Sequence, residues 1–229
     1  MNRYLALQQD DKYLLERRKD GFDLSKFTVV GNPTITNDGI LSNCSNGNCV
    51  NTKFQISKLK GKSWTIRCSM TAGDTTTTFI KLGNSNSGYI AFSSLQWVSA
   101  TKRVRFCART GVTGDFSAEG EKITSPNNSF NIGDKIYCTL SFDITTGIYS
   151  LYADKVNGST LIDTWLPTSS NKELSYINTN PNLYIVLGAG SDGVGYLTTG
   201  EADLKDFSVE IEGVEVLTGA KEKYYVLRR

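Results

Sequence analysis

KIYCTLSFDITTGIYSLYADKVNGSTLIDTW, residues 135–165, decides the class of this fold. Its apolar residues recur with a period of two: Ile136, Cys138, Leu140 and Phe142 point one way, the pattern of a half-buried strand. A loop with Asp143 and Gly147 reverses the chain, and Tyr149, Leu151 and Ala153 resume the alternation. Asn157-Gly158 then supplies the dipeptide most typical of a tight hairpin. The same grammar returns in GEADLKDFSVEIEGVEVLTG, residues 200–219. There Ala202 and Leu204 share a face, and Phe207, Val209 and Ile211 continue it after a one-residue phase slip at Lys205-Asp206. Such a slip inside a strand predicts a β-bulge. Glu212-Gly213 turns the chain once more into Val214 and Val216. Repeated reversals with no helical period between them predict an antiparallel all-β domain.

Working outward, WTIRCSM places Trp64, Ile66, Cys68 and Met70 on one face. The fold prediction buries this face and the Ile136–Phe142 face between two sheets. FTVVGNPTITNDGILSN, CVNTKFQI, TTTFIKLG, GYIAFSSLQWV and RVRFCARTGV supply further strands. LYIVLGAG is a short continuous apolar run, expected to be covered on both sides. The total is about thirteen strands, and their spacing favours a two-sheet sandwich over a small barrel. Three divisions follow: an N-terminal arm over 1–21, the sandwich over 22–218 and a basic, aromatic tail over 219–229. Residues 1–21 mix leucines with charges and show no strand alternation, so the arm is read with a helical turn around 10–18.

Composition narrows the function. The chain has 229 residues, a formal charge of +2 and no histidine. Near-balance of charge gives no reason to expect nucleic acid or an anionic membrane as a partner. No apolar stretch approaches the ~20 residues of a membrane span. The charged N-terminus lacks the apolar core of a signal peptide, so the expectation is synthesis in a cytoplasm without secretion. Without histidine, Ser-His-Asp and Cys-His catalysis and histidine metal sites drop out. Five cysteines, an odd number, lie mostly inside strands. They are read as reduced thiols rather than a disulfide scaffold, with Cys44 and Cys49 the one pair spaced to close a loop. Arg103, Arg105 and Arg109 alternate with Val104, Phe106 and Ala108, which predicts a strand with a solvent-facing arginine side.

Four stretches in order resemble the concanavalin A-like lectin/glucanase group, and within it the laminin-G-like jelly rolls of bacteriophage virion proteins. FDLSKFTVVGNPTITNDGILSN is similar to the opening strands and KSWTIRCSMTAG to a core strand. KIYCTLSFDITTGIYSLYAD is similar to the central hairpin, and GEADLKDFSVEIEGVEV to the closing pair. The resemblance implies a two-sheet antiparallel jelly-roll sandwich, frequent carbohydrate binding, and a place in a tail, fibre or capsid-surface protein.

For catalysis the best carboxylates are Glu201, Asp203 and Asp206, whose alternation is similar to that of glucanases, where an acid and a nucleophile stand about 5–5.5 Å apart. They sit in the closing strand rather than mid-chain, and the last is Asp instead of Glu. The reading taken is therefore a bulged strand edge and a protein that is not an enzyme. Ser191-Asp192-Gly193 and Asn37-Asp38-Gly39 offer oxygen atoms but lack the ligand spacing of a calcium loop, so neither a metal nor another cofactor is expected. A glycan site needs an aromatic platform beside polar groups. Trp97, Tyr196 and Asp192 are the candidates. Tyr4, Leu5, Tyr13 and Leu14 in one tail, with Tyr224 and Tyr225 in the other, are candidates for assembly. Expected partners are other virion proteins, further copies of the chain and cell-surface polysaccharide. The alternatives are a free carbohydrate-binding module and a glycoside hydrolase.

Overall fold

A computed structural model describes residues 4–6, 13–35, 41–42, 49–83, 93–108, 120–167, 173, 183–188 and 204–228. Eighteen strands run through these residues, joined by three short 3-10 segments. One sheet has six strands, in the order β14 (Leu161–Trp165), β13 (Ile148–Asp154), β12 (Lys135–Asp143), β7 (Trp64–Thr71), β16 (Leu204–Ile211) and β17 (Val214–Thr218). The other has seven: β11 (Gly120–Thr124), β10 (Arg103–Ala108), β9 (Ser93–Val98), β8 (Thr77–Gly83), β15 (Tyr184–Leu187), β6 (Cys49–Gln55) and β3 (Phe27–Val30). Every pairing is antiparallel. The chain is a two-sheet antiparallel jelly-roll sandwich, with a small pair β4 (Thr34–Ile35) and β5 (Leu41–Ser42) beside it.

The alternation legible in residues 135–165 is realised directly. Ile136, Cys138, Leu140 and Phe142 are buried, as are Trp64, Ile66, Cys68 and Met70. Both faces are buried between the two sheets, as expected. They lie side by side in one sheet, with Ile136 opposite Met70 and Phe142 opposite Trp64. The layer facing them comes from the other sheet and includes Phe79, Leu95, Phe106, Ile185 and Leu187. Phe106 stacks on Tyr149 at 5.8 Å across the core, and Tyr149 meets Trp165 at 5.3 Å. Each such side chain, once buried, contributes about 1.5–3 kcal/mol. In β15, Ile185 and Leu187 join the main core while Val186 is buried on the opposite face against Cys49. The strand is thus covered on both sides, as its unbroken apolar run predicts.

Turn chemistry sets the registers. Glu212 and Gly213 have φ of 50° and 76°, a two-residue hairpin joining Ile211 to Val214, whose paired left-handed residues match the strand twist. The predicted bulge is present: Lys205 pairs with Ser69 but Ser208 with Arg67, and Asp206 takes φ 53°. One extra residue returns Phe207, Val209 and Ile211 to the core face. At Asn157-Gly158 the two-residue hairpin needs correcting. The connection runs over 155–160, because the Asp154 carboxylate accepts backbone N–H groups from Val156 through Thr160 and holds a wider loop.

The N-terminal helical turn is also corrected. β2 (Tyr13–Phe22) is a ten-residue strand, flanked by β1 (Tyr4–Ala6) and β18 (Ala220–Arg228) in a three-stranded sheet. Charges next to leucines concealed a strand whose partner lies at the far end of the sequence. Leu14 stands opposite Leu227, and Arg17 opposite Tyr224. At its root the Asp23 N–H donates to the Gly219 carbonyl at 2.9 Å.

Candidate functional site

Once the inward residues of the six-stranded sheet are committed to the core, the period of two leaves the others on its outer face. Thr65 and Arg67 in β7, Thr139 and Ser141 in β12, Ser150 and Tyr152 in β13, and Glu210 in β16 are only partly buried or nearly so. They form an open polar surface with two hollows. The larger, about 540 Å³, is walled by Thr65, Ser141, Asp143, Ser150, Tyr152 and Glu210 among others. A second, about 360 Å³, is lined by Arg67, Thr139, Tyr152, Asn157 and Ser159 with Thr65 and Ser141. Thr65, Ser141 and Tyr152 belong to both, so the hollows form one trough. The larger hollow reaches from Thr164 on β14 to Glu210 on β16. Those are four inter-strand spacings, about 19 Å at about 4.8 Å each.

Two loops end the trough, each organised by an aspartate. The Asp143 carboxylate accepts the Thr145 N–H at 2.9 Å and the Thr146 hydroxyl at 2.9 Å. These bonds hold it below the usual carboxylate range. Asp154 takes five backbone N–H groups at 2.7–3.0 Å. Burial pushes its carboxyl up, but the N–H groups of Gly158, Asn157, Val156 and Ser159 outweigh that and hold it well below the usual range. Gly158 has φ +70°, and a Cβ there would come within 3.2 Å of the Tyr137 backbone. Glycine thus lets the loop lie close on β12 and bring Asn157 and Ser159 to the trough wall.

The charges on this face are taken up internally. Arg67 pairs with Glu210. Asp206, on the bulge, accepts from the Ser69 hydroxyl at 2.8 Å and from Lys135 at 3.2 Å. Lys135 also lies 4.7 Å from the centre of the Tyr137 ring. What remains for a ligand is a set of hydroxyls together with Tyr152.

Of the residues expected to bind a glycan, Trp97 is corrected. It is fully buried in the core, and its indole N–H donates to the Gly73 carbonyl at 2.8 Å. Its polar neighbours Gln96 and Ser94 occupy the opposite face of β9, so the local composition pointed the wrong way. Tyr196 and Asp192 lie outside the described residues, as do Glu201 and Asp203. For Tyr4, Leu5, Tyr13, Leu14, Tyr224 and Tyr225 the described feature is the backbone ladder of the three-stranded sheet. Sequence reasoning missed Tyr152. Its signal was an aromatic residue in the outward phase of a hairpin whose neighbouring outward positions, Thr139, Ser141 and Ser150, carry hydroxyls.

Cys49, Cys68, Cys107 and Cys138 are buried, and burial pushes the thiol of Cys138 up to about 12. Cys44 lies outside the described residues. The arginine side of β10 is not the solvent face its alternation suggested. Arg103 and Arg105 are half-buried, and Arg105 Nε donates to Gln96 Oε1 at 2.7 Å. Among the described residues no helix is long and apolar enough to cross a membrane, and no group of three or more acidic, cysteine or histidine residues is placed to hold a metal ion.

No protein-family model and no curated protein matches the sequence. Solved structures do match in fold. One is the Ruminococcus gnavus IT-sialidase CBM40 bound to α2,3-sialyllactose, at 17% identity over 67% of this chain and 84% of that one, with a TM-score of 0.43. Another is the carbohydrate-binding module CBM66 from Bacillus subtilis, at 10% identity over 81% and 95% of the two chains, TM-score 0.49. A third is the enzymatically active domain of tailspike protein 2 from bacteriophage CBA120, at 11% identity and TM-score 0.50. This chain aligns over 81% of its own length there but over 28% of the tailspike chain. At these identities the likeness is one of fold.

Proposed function

We propose that this chain is a non-enzymatic glycan-binding domain of a bacteriophage virion protein, holding a polysaccharide along the outer face of its six-stranded sheet. The observation that carries the binding role is the trough itself. An open groove spanning five strands, lined by hydroxyls and by Tyr152, suits the two surfaces of a sugar. Its C–H face packs on an aromatic ring, and its hydroxyls exchange hydrogen bonds with serine, threonine and tyrosine. The trough's length suits a chain of sugars rather than a single one. Asp143, held ionised by the bonds it accepts, is unsuited to serve as the general acid of glycoside hydrolysis, which must be kept protonated by a raised pKa. The virion placement rests on the ordered stretches that resemble virion jelly rolls. In that setting the three-stranded terminal sheet, whose strands contain Tyr4, Leu5, Tyr13, Leu14, Tyr224 and Tyr225, would be the assembly element toward virion proteins or further copies of the chain.

The test is affinity electrophoresis of the purified chain through gels containing polysaccharides, with Tyr152→Ala beside it. Retardation by at least one polysaccharide, lost in the variant while its melting curve stays close to that of the parent, is the expected result. Retardation that Tyr152→Ala leaves untouched would move the site elsewhere, and release of reducing ends would make the chain a hydrolase.

A further inference from the structure

The charge inventory of the trough narrows the class of glycan. Resting on the binding role just proposed, we infer that the ligand of this face is an uncharged polysaccharide, and that the Arg67–Glu210 pair is the element that excludes anionic ones. The larger hollow carries two charged side chains, Asp143 and Glu210, both acidic. The smaller carries one, Arg67. That guanidinium is engaged by Glu210 from the adjacent strand. Among the described residues, two other cations of this sheet and its loops are also engaged: Lys135 by Asp206, and Lys155 by Asp134 at 2.6 Å. A sugar carboxylate, sulfate or phosphate entering the trough would therefore meet the Asp143 carboxylate and, among the described residues that line it, no cation that is not already paired. It would also lose hydration, the costly step for any anion leaving water. A neutral sugar meets no such barrier. Thr65, Thr139, Ser141, Ser150 and Tyr152 each donate or accept a hydrogen bond without a change of charge.

The reading also assigns Glu210 a role distinct from stability. An exposed ion pair contributes little to folding, and these side chains are 40% and 29% exposed. Replacing Glu210 with the isosteric amide leaves the groove's shape and frees the charge of Arg67. Anionic ligands should then gain a counter-ion.

Affinity electrophoresis of the parent chain and Glu210→Gln against two sets of polysaccharides tests this. One set is neutral: dextran, a β-glucan and a mannan. The other is anionic: polygalacturonate, hyaluronate and polysialic acid. The parent should bind a neutral polymer with an affinity that does not change from low to high salt, because screening acts only on charge. Glu210→Gln should acquire a salt-sensitive retardation by the anionic set that the parent lacks. Tight, salt-sensitive binding of an anionic polymer by the parent would overturn the charge inference while leaving the glycan-binding role standing. Failure of Glu210→Gln to gain any anionic binding would remove the pair's role as the excluding element. Absence of binding to either set would bring down both the role and the inference.

Discussion

The two sheets each present an outer face patterned with polar residues, and the two faces have opposite fates. On the six-stranded sheet Thr65, Ser141, Ser150 and Tyr152 border an open trough. On the seven-stranded sheet Thr78, Lys81, Ser94 and Gln96 are all at most 3% exposed. There, polar groups must satisfy one another. Gln96 donates to the Ser94 hydroxyl at 2.8 Å and accepts from Arg105 at 2.7 Å, with the Cys107 thiol at 3.9 Å. The open face has no such obligation, and its hydroxyls are left for solvent or for a ligand. A polar residue in the outward phase of a strand thus states only that it turns away from the sandwich core. Whether it is structural or available depends on what lies over it.

The largest expected effect checks that the core boundary is correctly drawn at β9. Trp97→Ala should cost about 3–5 kcal/mol in denaturant unfolding, since it empties a fully buried site and orphans the Gly73 carbonyl. An effect below about 1 kcal/mol would mean that Trp97 is not core after all. Next comes the contrast between the faces. Gln96→Ala should cost about 1–3 kcal/mol, the penalty of leaving Arg105 and Ser94 short of a partner in a covered site. Ser141→Ala, on the open face, should stay within about 0.5 kcal/mol. Similar costs for the two would erase the distinction.

A smaller effect concerns acid, and it tests the loop that ends the trough. The carboxyl of Asp154 is held below its ordinary value of 3.8 in the folded chain. Its contribution is therefore present above that ordinary value and lost as the pH falls below it toward the folded one. Asp154→Asn puts an NH2 group where one oxygen accepts the N–H groups of Ser159 and Thr160. Thermal melts against pH should show a less stable variant at neutral pH and a shallower decline in acid. An unchanged acid limb would mean that the loop does not depend on the charge.

Much of the sandwich was legible because a strand's period of two needs no partner to be seen. The bulge at Asp206 was readable for the same reason, as a break in phase. Three features were not. The strand at Tyr13–Phe22 lacks alternation and is defined by its ladder with Ala220–Arg228, two hundred residues away in sequence. The loop after β13 escaped because Asn157-Gly158 signals a turn but not its width, which the Asp154 carboxylate sets. Trp97 was misplaced because its neighbours in sequence, Gln96 and Ser94, lie on the opposite side of its strand.

By itself, then, the sequence determined the class of the fold, the inward phase of its central strands, the bulge and the Glu212-Gly213 hairpin. All of these are local: they follow from backbone sterics and from the spacing of apolar residues along a few turns of chain. The tertiary structure decided which strands are neighbours, which polar face is covered, and where Tyr152, Arg67 and Glu210 meet. Those relations join residues as distant in sequence as Tyr13 and Arg228. They depend on long-range register and layer packing, which no window of sequence contains.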